Sequence, residues 1–329
     1  MFYSVIVPVY NRPNEADELL KSLTYQTFGN FEVIIVDDGS TLPCSEVASK
    51  YSGQLNIHYY FKPNSGPGQT RNFGVERAHG DYVVILDSDV VVPSDYLNKI
   101  EHELTTNPCD AFGGPDRADK SFTNLQKAIN YSMTSFFTTG GIRGGRQKMD
   151  KFYPRSFNMG VKTDVYRALG GFSNMRFGED IDFSIRIFKA NYKCRLFPDA
   201  WVYHKRRTNL SKFFRQVFNS GIARINLYKK YPESLKLVHA LPAVFTAGVA
   251  LLLVSSPITV FGPSLIVLYA LLIFISAFLQ TGSINIAILA IVTSFIQLLG
   301  YGSGFIYAWW IRCVLGKDEF SAFNNTFYK

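Results

Sequence analysis

The sequence is short of three things, and each shortage removes a class of protein. Cysteine is scarce: Cys44, Cys109, Cys194 and Cys313 are the four in 329 residues, with no two at a metal-ligand or pairing interval. That excludes a disulfide framework and a zinc module, and leaves reduced structural thiols. Signal-like character at the start is the second. Met1-Phe2-Tyr3-Ser4 carries no basic run and the apolar residues after it stop at Pro8 and Asn11, so no secretory signal is expected. The third shortage is the largest: from Leu237 to Ile311 there is no Lys, Arg, Asp or Glu. One membrane span needs about 20 apolar residues, and this stretch far exceeds that. The expectation is an integral membrane protein whose amino-terminal part is soluble.

Charge is therefore concentrated in front. All but one unit of the net charge of +8 precedes Leu237. A basic balance of this kind suits a domain on an anionic membrane or one that handles phosphorylated substrates. Nucleic acid is the other usual partner of basic proteins, but no recognition module for it is present, and no nucleic-acid partner is expected.

The charged part alternates strand and helix. Ser4 to Val9 is a short apolar run that reads as a buried strand, and Asn14 is a candidate cap for a helix through Leu19, Leu20 and Leu23. Phe31 to Val36 is a second strand, closed by Asp37-Asp38-Gly39-Ser40, and Ile57 to Phe61 a third. A helix is expected over Gln69 to Ala78, with Gly80 as a left-handed cap. Strand, helix, strand in this order begins a parallel sheet, whose ligands bind beyond the carboxyl ends of the strands.

The chemistry is clearest in Tyr82-Val83-Val84-Ile85-Leu86-Asp87-Ser88-Asp89. A buried strand ends in two carboxylates one residue apart, and side chains two apart in an extended chain point the same way. Held together they repel, unless a divalent cation, usually with phosphate oxygens, sits between them. A solvated turn is the plain alternative. The motifs around it favour the metal–diphosphate reading.

Pro8-Val9-Tyr10-Asn11, Val36-Asp37-Asp38-Gly39-Ser40, Arg71-Asn72 with Gly74, Asp87-Ser88-Asp89 and Gly178-Glu179-Asp180-Ile181-Asp182 with Arg186 stand in one order along the chain. Together they resemble the motifs of family 2 inverting glycosyltransferases of the GT-A fold, over roughly residues 3–205. The resemblance implies a nucleotide site of Pro8, Tyr10, Asp38, Arg71 and Asp87. In it Tyr10 stacks on the base, Asp38 accepts the base's imide hydrogen and Arg71 supports the phosphates. It implies that Asp89, with Asp87, ligates Mn²⁺ or Mg²⁺, and that Asp180 is the catalytic base with Glu179 orienting the acceptor or the base. His204 has two readings, a third metal or phosphate ligand, or a residue closing a strand end. Acidic residues in a first helical turn also serve as caps, but an inverting transfer needs one carboxylate to take the acceptor's proton.

Thr138 to Lys148 is glycine-rich and basic, without the Walker spacing. It reads either as an acceptor-phosphate loop carrying Arg143 and Arg146 or as a surface loop. Phe213, Val217, Phe218, Ile222 and Ile225 fall on one side of a helix over Leu210 to Tyr228, with Lys212, Arg215 and Arg224 off it. That is the pattern of an interfacial helix on the cytoplasmic leaflet, with a buried core helix as the rival reading.

The expected architecture is thus an α/β GT-A, Rossmann-like domain over 1–207 with a mostly parallel sheet. An amphipathic interfacial helix over 208–236, transmembrane helices over 237–311 and a short polar tail over 312–329 complete it. Three spans are expected, Val238–Val254, Ser264–Leu279 and Asn285–Trp310, with two spans plus a re-entrant segment as the alternative. The expected function is a multi-pass enzyme of the inner or plasma membrane with its catalytic domain cytoplasmic. It would move a sugar from a nucleotide donor, uridine-linked, to a lipid-linked or polyprenyl-phosphate acceptor in polysaccharide or glycoconjugate synthesis. Interfacial Gln216-Val217-Phe218-Asn219-Ser220 lacks the Gln-x-x-Arg-Trp motif of processive synthases, which favours one sugar per encounter. The rivals are a nucleotide-sugar-binding membrane scaffold without turnover and a nucleotidyltransferase. The second would want a glycine-rich phosphate loop where Val9 leads to Tyr10-Asn11.

Overall fold

The computed structural model describes residues 1–117, 122–139, 152–175, 177–205, 207–255 and 261–319. Its elements run β1 (Tyr3–Val9), α1 (Pro13–Thr24), β2 (Phe31–Asp37), α2 (Ser45–Tyr51), β3 (Ile57–Phe61), α3 (Pro67–Val75), β4 (Tyr82–Leu86), β5 (Val90–Val91) and α4 (Tyr96–Thr106). Next come β6 (Ala111–Gly113), β7 (Asp116–Arg117), α5 (Asn124–Thr134), α6 (Phe136–Thr139), β8 (Asn158–Lys162), α7 (Thr163–Ala168), α8 (Glu179–Lys189), β9 (Cys194–Leu196) and β10 (Val202–His204). The helices α9 (Leu210–Lys230), α10 (Leu237–Val254), α11 (Phe261–Thr281) and α12 (Ile284–Trp309) close the chain.

Two compact units result. One holds 1–119, 149–175 and 179–205, and the other 120–148, 176–178 and 206–329. This differs from the contiguous division expected at 207, because α5 and α6 cluster with the carboxyl-terminal helices.

The first unit is built on a seven-stranded sheet in the order β3-β2-β1-β4-β8-β6-β9. β1 pairs in parallel with β2 and β4, and β2 with β3, while β8 runs antiparallel between β4 and β6. Strands buried on both faces need near-continuous apolar runs, and β1, β2 and β4 supply them. Val5, Val7, Val33 and Ile35 pack into one side of the sheet with α1 and α4, and Ile6, Ile34, Val83 and Ile85 into the other. A second sheet, β5-β10-β7, was not expected; its strands of two or three residues carry no periodicity to read.

Two local expectations are corrected. Helix α1 starts at Pro13, with Arg12 as the flanking residue and no side-chain cap, so Asn14 is not its cap; proline's fixed φ suits the first helical position. Helix α3 ends at Val75, and Gly80 is not in the left-handed region. Gly80 is required by close approach instead: a Cβ there would lie 2.6 Å from the Ser4 backbone nitrogen.

In the second unit three helices, Leu237–Val254, Phe261–Thr281 and Ile284–Val314, are long and apolar enough to cross a membrane. The last turn of the third, Trp310–Val314, is π-helical. Helix α9 gives much of its apolar side to α12. Phe213, Val217, Ile222 and Ile225 are buried, and Gly221, Gly300 and Gly304 let the two backbones come so close that a Cβ on Gly304 would collide with the Phe218 carbonyl. The side expected to meet lipid is therefore largely a helix–helix contact. α5 packs on α12 as well, where Thr293 Oγ1 donates to the Ala128 carbonyl at 3.0 Å.

Candidate active site

The carboxyl ends of β1, β2 and β4 lie side by side, and each delivers part of a single site. At the end of β1, Pro8 is the last residue but one and Tyr10 is 45% exposed, with its ring available beside the strand end. The turn that presents it is held by Asn11 in the left-handed region, φ 53°. Asparagine tolerates this conformation because its short side chain bonds locally. Here the Asn11 N–H donates to Ser40 Oγ at 2.8 Å, and its Oδ1 accepts from Thr41 N, Thr41 Oγ1 and Leu42 N.

At the end of β2, Asp37 and Asp38 are both buried and do different things. Asp37 ties its own turn, accepting from Ser40 N, Cys44 N and Tyr59 Oη. Asp38 reaches across to the loop before α3: it pairs with Lys62 and accepts from Ser65 N and Gly66 N, each at 2.9 Å. Lys62 was not singled out in the sequence, where it sat in a turn-rich segment without a motif.

At the end of β4, Asp87, Asp89 and His204 come together, with one ligand atom from each within 4.8 Å of the others. His204 arrives through pairing of β10 with β5, which sets His204 opposite Val90, while Lys205 N donates to the Asp89 carbonyl at 3.0 Å. Its ring stacks on Phe157 at 4.8 Å, and its Nε2 is 3.3 Å from Asp89 Oδ1. Two hard carboxylates and one imidazole make a donor set that could hold a divalent cation, and the nitrogen suits Mn²⁺ better than Mg²⁺. Arg12, which the sequence reading passed over, places its Nη1 2.6 Å from Asp89 Oδ2, a positive charge on the same carboxylate.

Arg71 links this group to the head of α8. Its side chain is 5% exposed, with Nη2 2.8 Å from Asp87 Oδ1 and Nη1 3.2 Å from Glu179 Oε1. Burial disfavours its charge, but the two carboxylates outweigh that and hold the guanidinium more firmly protonated than usual. Glu179 and Asp180 sit side by side and diverge. Burial, then the neighbouring Asp180 charge, pushes the Glu179 carboxyl up. Asp180 meets the same burial, but the Arg155 guanidinium overcomes it and holds its carboxyl below the usual range. That contact, Arg155 Nε to Asp180 Oδ2 at 2.6 Å, had no sequence signal, since the two residues belong to different segments. Asp182 and Arg186 pair at i, i+4, and Arg186 also donates to the Leu169 and Gly171 carbonyls. Arg143 and Arg146 lie outside the described residues.

Residues 4–169, just over half of the chain, match the family model described as Glycosyl transferase family 2. The chain belongs to this family. Among its relatives, an uncharacterized glycosyltransferase of Rickettsia felis is 46% identical over 101 residues, which are 31% of this chain and 16% of that one. Poly(ribitol-phosphate) beta-N-acetylglucosaminyltransferase TarS of Staphylococcus aureus is 43% identical over 103 residues, 30% of this chain and 17% of that one. The chain thus spans about a sixth of the length of these relatives. Among solved structures, mannosyltransferase PcManGT of Pyrobaculum calidifontis, in complex with GDP-Man and Mn²⁺, aligns with a TM-score of 0.67 and 18% identity over 94% of this chain and 87% of that one. This family 2 protein therefore has the GT-A-like fold expected of it, followed by helices long and apolar enough to span a membrane.

Proposed function

We propose that this family 2 protein is a metal-dependent inverting glycosyltransferase. It would be anchored by its carboxyl-terminal helices and take a uridine diphosphate sugar on the cytoplasmic side of a membrane. The acceptor would be lipid-linked. The observation that carries this reading is Arg71, a buried cation shared between Asp87 of the candidate metal group and Glu179, next to the candidate base. One arginine thereby joins the donor and acceptor halves of the reaction.

The roles follow from the surroundings. Tyr10 offers an exposed ring for the base, and Asp38, buried and already accepting from Lys62, Ser65 N and Gly66 N, would take the imide N–H on the remaining lone pair of its Oδ2. Asp87, Asp89 and His204 would hold the cation, which when bound supplies charge neutralisation for the departing diphosphate. Asp180 takes the acceptor's proton while its hydroxyl attacks the anomeric carbon from the face opposite the diphosphate, and the configuration inverts in one displacement. The GDP-Man and Mn²⁺ bound to PcManGT and the sugar transfer in the name of TarS support a nucleotide-sugar donor with a divalent metal. The run of basic residues Lys229, Lys230 and Lys236 just ahead of α10 supports a cytoplasmic catalytic domain, with residues 1–207 as the glycosyltransferase part.

Calorimetric titration of the full chain in nanodiscs with UDP, GDP and CDP, with Mn²⁺ and then with chelator, tests this. Metal-dependent binding of UDP, lost in Asp89→Ala and on chelation, is the expected result. Binding of GDP alone would replace the uridine assignment, and binding of no nucleotide would overturn the donor site.

A further inference from the structure

Arg155, beside the candidate base, is only partly committed. Arg71 is enclosed and spends its guanidinium on Asp87 and Glu179. Arg155 uses its Nε–H on Asp180 Oδ2, yet its side chain is 40% exposed and its Nη hydrogens have no partner among the described residues. A guanidinium has five N–H donors in a planar fork that matches a phosphate. Asp180 is fixed from the other side, its Oδ1 accepting the Ile181 N–H at 2.8 Å. The base and its arginine thus form a rigid pair with one polar edge turned to solvent.

From this geometry, and resting on the glycosyltransferase reading, we infer that Arg155 is the acceptor-recognition residue and that the acceptor carries a phosphate group close to the hydroxyl that is glycosylated. The Nε–H stays on Asp180 while the Nη edge takes the phosphate oxygens. A phosphate held there lies roughly 5 Å from the Asp180 oxygen, two hydrogen-bond-scale steps around one guanidinium. That distance fits a phosphate on the carbon next to the one bearing the hydroxyl. The arrangement also discriminates. A neutral acceptor meets a carboxylate whose charge is countered by Arg155, whereas a phosphorylated one brings an anion that cancels the guanidinium and leaves Asp180 a better proton acceptor. Phosphate selectivity would therefore appear in kcat as well as in KM.

The test uses the full chain in phosphatidylcholine nanodiscs, loaded with UDP and Mn²⁺ in one calorimetric step and titrated with glycerol 1-phosphate, against glycerol, in the next. Glycerol 1-phosphate should bind where glycerol does not, and Arg155→Gln should weaken it by about tenfold or more while leaving the UDP step unchanged. Arg155→Lys, which keeps the charge without the fork, should recover part of the loss. Asp180→Asn, which frees the guanidinium, should bind the probe more tightly. Repeating the titration in phosphatidylglycerol discs separates two sources of the phosphate. A weaker apparent affinity points to a lipid headgroup reaching Arg155, and an unchanged one to a soluble or chain-borne phosphate. Equal binding of glycerol 1-phosphate by wild type and Arg155→Gln, or none by wild type that binds UDP normally, overturns the inference. Failure of the UDP step in wild type would instead overturn the donor reading.

Discussion

Replacing Arg71 by glutamine should damage the fold in a way that depends on pH. The guanidinium lies between Asp87 at 2.8 Å and Glu179 at 3.2 Å, almost out of solvent. Removing one partner of a buried ion pair costs about 3–5 kcal/mol, because the remaining charge is left uncompensated. The lower end applies here for two reasons. The Asp87 side chain is 30% exposed and can rehydrate, and Glu179, whose carboxyl is already raised by burial, can take a proton. The second route sets the sign. Without Arg71 the Glu179 carboxyl rises further. A carboxyl with a folded pKa above its unfolded value favours the folded state below the unfolded value and loses that advantage as pH rises through the folded one. The loss in Arg71→Gln should therefore be smaller near pH 5 and reach about 3 kcal/mol near pH 8. Thermal unfolding of the detergent-solubilised chain at the two pH values, with wild type alongside, measures it. An equal loss at both would refute the shared counter-ion role, since Asp87 misses the arginine at either pH but Glu179 only when deprotonated.

The remaining expectations are direct. Asp180→Asn should keep nucleotide binding and abolish transfer, read by product formation beside UDP titration; retained transfer would remove Asp180 as the base. Gly304→Leu should push α9 from α12, since even a Cβ there collides with the Phe218 carbonyl, and the loss should show as lower detergent thermostability. If that variant melts with wild type, the close helix contact does not form. Gly160→Val should strike the sheet beside the site, where an added Cβ would run into the Phe112 ring stacked on Phe197 at 4.5 Å. Overpacking of this kind costs about 1–3 kcal/mol, and an unchanged unfolding midpoint would contradict the packing.

Much of the donor half could be read directly because its signals are local. β1, β2 and β4 are apolar runs with no competing period, each ending in polar residues, and parallel order alone brings those ends to one edge. Asp87 and Asp89 come together by a turn rather than by the extended geometry expected of them: β4 ends at Leu86, and Val90 N donates back to the Asp87 carbonyl at 3.2 Å. The acceptor half and the helical unit were less legible because their partners are distant in sequence and their elements are short or permissive. Arg155 and Asp180 are 25 residues apart on different segments. Asn14 and Gly80 misled for the same reason in reverse: each is a good local signal, but Pro13 starts the helix one residue earlier, and Gly80 answers to the Ser4 backbone rather than to a helix end. α9 looked like a surface helix because its apolar side is real, and only Gly300 and Gly304 on α12, far along the chain, show what covers it.

His204 shows how the two kinds of information combine. Its sequence offered two readings, a ligand or a residue closing a strand end, and treated them as exclusive. In the structure it is the last residue of β10, paired to Val90, and that pairing is what puts its ring 3.3 Å from Asp89. Because Val90 follows Asp89 directly, a strand of three residues suffices to set the imidazole beside the carboxylate, and Phe157 stacked on its face limits where the ring can turn. Closing the strand end is the means by which the histidine reaches the candidate metal group. Any change that breaks the β10–β5 pairing should therefore weaken Mn²⁺ binding even with Asp87, Asp89 and His204 intact. Val91→Pro, which removes a backbone donor from that pairing, should lose Mn²⁺ affinity in electron paramagnetic resonance titrations, as His204→Ala does. Retained affinity in Val91→Pro alongside a loss in His204→Ala would show that the imidazole is held by its ring contacts and not by the strand.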